Sequence, residues 1–177
     1  LGGSPNTNVY LNLGSSYFFL GRFDDAAQMY ERALELAPEH FEVWGNLGDA
    51  YRYSTKQAQL ADAAYRHAIE LAQQHLQINS ADAVAIAALA HYQAAIGERA
   101  RALGNIGLAA ELAQKDMFVY YFSATALCAL NEPEQALDSI RKALSLGYPS
   151  HMVRADIGLS RLRELPGYEA VLAQQGR

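Results

Sequence analysis

The sequence predicts an all-α chain, an α-solenoid of helix–turn–helix repeats, and three observations carry that prediction. The first is internal repetition. The stretch from Thr7 to His40 recurs 34 residues on, so that Tyr10, Leu13, Gly14 and Tyr17 fall onto Trp44, Leu47, Gly48 and Tyr51. The second is periodicity. Those residues share one face of a first helix, while Ala26, Tyr30 and Ala33 share one face of a second, and Pro38 closes the unit. The third is composition. The 177 residues are 51% hydrophobic and skewed towards Ala and Leu, with few β-branched runs and no Asn-Gly or Asp-Gly turn, so almost nothing reads as sheet.

The opening Trp44-x2-Leu47-Gly48-x2-Tyr51, followed by Ala61-x3-Tyr65-x2-Ala68, resembles the tetratricopeptide repeat (TPR) family. The resemblance covers residues 7 to about 150. It implies a TPR superhelix of four helix–turn–helix repeats with a C-terminal capping segment, acting as a scaffold that binds partners. The boundaries expected are a linker over 1–6, a TPR array over 7–150 with units at about 7–40, 41–80, 83–116 and 117–150, and capping helices over 151–177.

Each element has its own signals. In the first unit the turn is Leu20-Gly21-Arg22, with Gly21 supplying the left-handed residue that ends a helix. Gly14 and Gly48 lie in helix interiors, where glycine costs about 1 kcal/mol relative to alanine. That cost at matching places implies two helix backbones too close together for a side chain. The second unit carries one extra residue between Tyr51 and Ala61, which loosens its turn. Its second helix then runs on through Leu71-Ala-Gln-Gln-His-Leu-Gln-Ile-Asn79, seven residues more than the first unit, and Ser80 is the expected N-cap of the next helix. Seven residues are nearly two turns, so the same face stays inward.

The third unit starts near Ala83 and is degenerate, with Ile86, Leu89, Ala90 and Gln93 at the opening positions, but Gly97 returns at the turn before Ala102, Ile106 and Ala109. In the fourth, Tyr120, Ala124 and Leu127 precede Asn131 in place of the turn glycine, Pro133 in the opening turn of a helix, and Ala136, Ile140 and Ala143. The last 27 residues read as a short helix, a turn and a final helix from about Gly167, whose Met152, Val153, Leu159, Leu162, Leu165, Tyr168, Val171 and Leu172 would cover the end of the stack. This tail resembles the closing segment of bacterial TPR arrays attached to signalling domains, through Leu159, Leu162, Arg163, Pro166, Tyr168 and Leu172; Gly158 stands where an acidic residue is common. The opening LGGSPN, without a methionine, reads as the start of a fragment. The resemblance implies a bacterial source and a further domain upstream.

Composition excludes several functions. The net charge is −5, and the 14 Lys and Arg residues are spread along the chain, so no basic stripe awaits nucleic acid. Cys128 is the only cysteine, which rules out an internal disulfide and a cysteine-based zinc site and leaves it as a small buried hydrophobe. No apolar run approaches the ~20 residues of a membrane span. Compartment stays open, cytoplasm or periplasm. No H-E-x-x-H, G-x-S-x-G, G-x-x-x-x-G-K or G-x-G-x-x-G motif occurs, and Gly104 and Gly107 sit inside the third unit's second helix. His67, Glu70 and His75 follow helical spacing and read as a solvated polar face, because two or three ligands still need a fourth group and supporting hydrogen bonds. His91 reads as a groove or packing residue, and Ser160 has no base near it in sequence. No enzyme activity, cofactor or metal is expected.

Tyr10, Tyr17, Trp44, Tyr51, Tyr65 and Tyr120 fall on packing positions of the repeat and read as core. In the TPR family the first helices line a concave groove. Carried over residue by residue, the resemblance implies a partner-binding surface of Asn12, Ser15 and Phe19, then Asn46, Asp49, Arg52 and Tyr53, then Ala88 and His91, and finally Tyr121, Phe122 and Thr125. Modules of the family that grip chaperone C-terminal carboxylates place Lys, Asn and Arg where this chain has Leu11, Ser15, Asn46, Val84 and Ala88, and only Asn46 fits, so a carboxylate clamp is not expected. The function implied is a scaffold for a protein or peptide partner, serving as docking or sensory part of a larger bacterial protein. Homo-oligomerisation through an edge of the stack is the alternative, and a cryptic enzyme a distant third.

Overall fold

A computed structural model describes residues 5–173, and these form helices joined by short turns, with no strand among the described residues. The chain divides into two compact units, Leu1–Gln74 and His75–Arg177. The first unit holds α1 (Pro5–Phe19), α2 (Phe23–Leu36), α3 (Phe41–Tyr53) and the greater part of α4 (Ala61–Ile78), which follows a 3-10 turn at Ala58–Leu60. Helix α1 takes in Pro5 and Asn6 ahead of Thr7, while residues 1–4 of the expected linker lie outside the described residues.

Turn chemistry sets the pairing. At the end of α1 the Gly21 N–H donates to the Phe18 carbonyl and the Arg22 N–H to the Tyr17 carbonyl, both at 2.9 Å, with Gly21 at φ +73°. This hydrogen-bonded stop satisfies carbonyls that the helix end would leave open, and only a left-handed residue permits it. The same pair of bonds recurs at Gly97 and at Asn131, whose φ of 62° is the one positive value outside glycine among the described residues. Asparagine tolerates that region better than most side chains. After α3 the chain stops differently, because Ser54 is extended and its Oγ accepts the N–H groups of Lys56 and Gln57 at 3.0 and 2.9 Å. The extra residue of the second unit is absorbed there.

The two interior glycines are explained by a ring. A Cβ on Gly14 would stand 2.6 Å from the Tyr30 ring, and one on Gly48 would stand 2.7 Å from the Tyr65 ring. What comes too close is therefore the tyrosine side chain of the paired second helix, which corrects the expectation of a backbone-to-backbone approach. Alanines that face the pairing are buried in every repeat: Ala26 and Ala33, Ala61 and Ala68, Ala102 and Ala109, Ala136 and Ala143.

Helix α4 is the 18-residue helix that the uninterrupted stretch implied, ending at Ile78. The cap that starts the next helix is Asp82, not Ser80: its carboxylate accepts the Ala85 N–H at 3.0 Å and also meets His75 Nε2 at 2.9 Å. A carboxylate at this position suits the positive end of the helix dipole as well as the open N–H groups.

The second unit contains α5 (Ala83–Ala95), α6 (Arg99–Leu112), α7 (Met117–Ala129), α8 (Pro133–Ser145), α9 (Ser150–Ala155), a 3-10 helix at Ile157–Glu164, and α10 (Tyr168–Leu172). Helix α5 packs against both α6 and α7, and α7 against α8. Neither α5 nor α7 carries an Asp, Glu, Lys or Arg, and a helix apolar on all sides belongs inside. Val153, Leu159, Leu162, Tyr168, Val171 and Leu172 join Ala124, Leu127, Ile140 and Leu144 in one apolar cluster, with Met152 and Leu165 packed against it. The C-terminal segment thus covers the last helix pair. A 3-10 helix replaces the simple turn expected within that segment; Asp156 caps it through the Gly158 N–H at 2.8 Å.

Candidate partner-binding surface

In the first unit the expected surface residues divide into two groups. Ser15 and Asp49, one repeat apart, are held inside the repeat. The Tyr30 hydroxyl donates to Ser15 Oγ at 3.2 Å, and the Tyr65 hydroxyl donates to Asp49 Oδ1 at 2.6 Å. Each tyrosine lies over a glycine and reaches the next residue of the first helix, and burial pushes both phenols well above their ordinary range. Arg52 is also engaged, with its guanidinium 5.0 Å from the Tyr65 ring centre and 3.8 Å from Asp62.

Asn12 and Asn46 differ. They occupy equivalent places on α1 and α3, Asn12 exposed and Asn46 half-buried, and neither side-chain amide has a hydrogen-bond partner among the described residues. Each amide offers two donor hydrogens and an acceptor oxygen. Phe19 and Tyr53 belong to a half-buried set of rings that sequence periodicity did not assemble, because Phe18 and Phe23 complete it. Phe18 meets Phe19 edge-on at 5.7 Å and Tyr53 at 6.3 Å, and Phe23 lies 5.4 Å from both Phe18 and Tyr53.

The second unit holds the remaining expected residues. Ala88 is buried, and half-buried His91 meets Tyr92 edge-on at 5.7 Å. Tyr121 donates to Asp156 at 2.7 Å and stacks on Tyr148 at 4.5 Å, so it ties α7 to the C-terminal segment. Thr125 is buried and donates to the Phe122 carbonyl at 2.9 Å. Phe122 is half-buried beside Tyr121 and packs against the Ala83, Ile86 and Ala87 cluster.

Of the aromatic residues placed at packing positions, Tyr51 and Tyr65 are buried, while Tyr10, Tyr17, Trp44 and Tyr120 are half-buried. Trp44 donates through Nε1 to the Pro38 carbonyl at 2.7 Å and meets the His67 ring at 4.4 Å. Burial pushes the Cys128 thiol up to about 12, helped by the nearby Asp156 carboxylate, so the sulfur is a packing group rather than a nucleophile. Among the described residues no three His, Cys, Asp or Glu side chains are grouped to hold a metal ion, and no helix is long and apolar enough to cross a membrane.

The repeat geometry agrees with the comparisons to known proteins. A family model described as tetratricopeptide repeat matches residues 5–74. Among solved structures, a thermophilic TPR protein of Thermus thermophilus is 22% identical over 96% of this chain and 87% of its own, with a TM-score of 0.53. A crystal structure of MamA matches at 20% identity over 96% of this chain and 91% of its own, with a TM-score of 0.45. No curated protein matches. Residues 5–74 are tetratricopeptide repeats, and the chain is an all-α protein of the tetratricopeptide-repeat fold class. That fold supports the reading of a protein–protein interaction scaffold.

Proposed function

We propose that the chain binds a peptide or an extended protein segment along the first helices of its repeats, and that it serves as the docking or sensory part of a larger bacterial protein. The observation that supports this is the Asn12 and Asn46 pair, whose amides sit in register one repeat apart and have no intramolecular partner among the described residues. An amide that donates and accepts at once matches the alternating N–H and C=O groups of an extended backbone. Half-buried Phe19 and Tyr53 offer apolar surface for the ligand's side chains.

The test is affinity capture from a bacterial lysate with quantitative mass spectrometry, using the wild type and an Asn12→Ala/Asn46→Ala variant of equal thermal stability. Partners recovered on the wild type should be depleted on the variant. Recovery of the same partners in the same amounts would remove the asparagine pair as the binding site.

A further inference from the structure

Helix α6 turns an apolar side to solvent. Ala102 and Ala109 are its buried residues, and on the opposite side Ala100, Arg101, Gly104, Leu108, Glu111 and Leu112 follow helical spacing as one exposed stripe, with Leu108 at 44% and Leu112 at 46%. The other second helices differ at the places of Gly104 and Leu108. They carry Gln28 and Arg32 on α2, Ala63 and His67 on α4, and Asp138 and Lys142 on α8, all exposed. Polar residues are the ordinary content of such a face, so the repeat itself does not call for a leucine there. The glycine is also unexplained by packing within the chain. Gly14 and Gly48 make room for tyrosine rings, whereas nothing lies within 4 Å of a Cβ added at Gly104. Glycine in a helix interior weakens the helix, and its use is the close approach of another group.

The stripe is complementary to itself when reversed. Ala100 and Leu112, Arg101 and Glu111, and Gly104 and Leu108 lie at equal distances on either side of Ile106. Two copies of α6 packed antiparallel about that centre therefore set each leucine against a small residue and each arginine against a glutamate. Each contact occurs twice, as it does wherever the same patch of two identical chains meets itself. A partner of different sequence could cover the leucines, but it would give no reason for opposite charges at mirrored positions. In the single chain Arg101 lies 3.2 Å from Glu98, with its side chain 67% exposed. A pair that exposed is weak, so the guanidinium can turn to a carboxylate of the second copy.

We infer that α6 is a self-association face: two copies of the chain pair through antiparallel α6 helices, with Leu108 of each seated over Gly104 of the other and Arg101 of each facing Glu111 of the other. A helix of 14 residues is about 21 Å long, and a single pair of that length lies at the small end of protein interfaces. The dimer is accordingly reversible and concentration-dependent. It uses no residue of the asparagine pair and goes beyond the groove reading.

The test is sedimentation equilibrium of the full chain from about 1 μM to about 1 mM, with charge variants run alone and mixed. A monomer–dimer equilibrium is expected. Leu108→Asp should raise its dissociation constant by about tenfold or more with far-UV circular dichroism unchanged. Gly104→Ala should weaken the dimer while raising the thermal stability of the dilute chain. Arg101→Glu and Glu111→Arg should each be monomeric alone, because each sets like charges across both pairs. Mixed in equal amounts they should form a heterodimer near the wild-type constant, since each then supplies the charge that the other lacks. Asn12→Ala/Asn46→Ala should dimerise as the wild type does, so that failure of the groove reading and failure of this one are told apart. Three results would each overturn the inference: a chain monomeric over the whole range, which leaves the face to a different protein or another segment, a dimer indifferent to Leu108→Asp, or charge variants whose mixture stays monomeric.

Discussion

A single exchange recurs through the four repeats. Where the second helix offers a tyrosine, as at Tyr30 and Tyr65, the first helix has glycine, Gly14 and Gly48. Where it offers isoleucine, at Ile106 and Ile140, the first helix has alanine, Ala90 and Ala124. Ring and Cβ compete for the same space. Gly48→Ala should therefore destabilise the fold despite its better helix propensity, since crowding a packed core costs about 1–3 kcal/mol and outweighs the ~1 kcal/mol that alanine supplies. Gly104→Ala or Gly107→Ala, where nothing lies within 4 Å of the added carbon, should instead stabilise by about 1 kcal/mol. Chemical denaturation checks both signs. Combining Gly48→Ala with Tyr65→Ile should recover part of the loss, and a double-mutant cycle that finds the two changes additive would contradict the shared-space explanation. The sequence displayed both glycines at matching places, but not that a ring rather than a backbone lay against them, because the partner stands 16 or 17 residues away at Tyr30 and Tyr65 and repeat phase carries no such distance. The same limit hid which surface candidates were already engaged. Asp49 is held by Tyr65 and Tyr121 by Asp156, and no local pattern announces either bond.

Elements begin and end where backbone groups find partners. The long α4 and the turns at Gly21, Gly97 and Asn131 are legible because each depends on residues adjacent in the chain. Local pattern does not separate Ser80 from Asp82 as the cap, since both residue types cap helices, and the His75 ring that meets Asp82 stands seven positions back near the end of α4. Asp82→Ala should cost about 1 kcal/mol of stability, in the range of lost caps, and Ser80→Ala should cost nothing measurable. Burial works to raise the Asp82 carboxyl, but the Ala85 N–H and the His75 ring outweigh it and hold the group below the usual carboxylate range. A depressed folded-state value means that this stability is present above the unfolded-state pKa of about 3.9 and is lost as pH falls through it towards the folded value. Denaturation midpoints followed from about pH 6 down to about pH 3 should therefore fall, and Asp82→Asn should flatten the part of that slope due to this residue. An unchanged slope in the variant would assign the acid sensitivity elsewhere.

At the scale of the whole molecule, the C-terminal segment and the repeats it covers share one apolar cluster. A chain ending at Pro149 would uncover Leu137, Ile140 and Leu144 on α8 and leave Tyr121 without its Asp156 acceptor. Loss of thermal stability with aggregation is the expected outcome. A truncated chain that sediments as a stable monomer with an unchanged melting temperature would show that the segment is not a cap. The repeat period, the helix pairs and the apolar residues of this segment could all be read from hydrophobic spacing, whereas its 3-10 helix at Ile157–Glu164 could not, because Asp156 and Tyr121 fix that conformation from 35 residues apart.

The central claim is that the asparagine pair of α1 and α3 grips an extended backbone, and its most direct measurement is calorimetric. A peptide selected against the chain from a random library is titrated into the wild type, into each single Asn→Ala variant and into Asn12→Ala/Asn46→Ala, with unfolding curves recorded alongside. At about 1 kcal/mol for each lost hydrogen bond, every substitution should weaken binding roughly fivefold while leaving stability unchanged. Affinities that stay equal across all four proteins would contradict the claim.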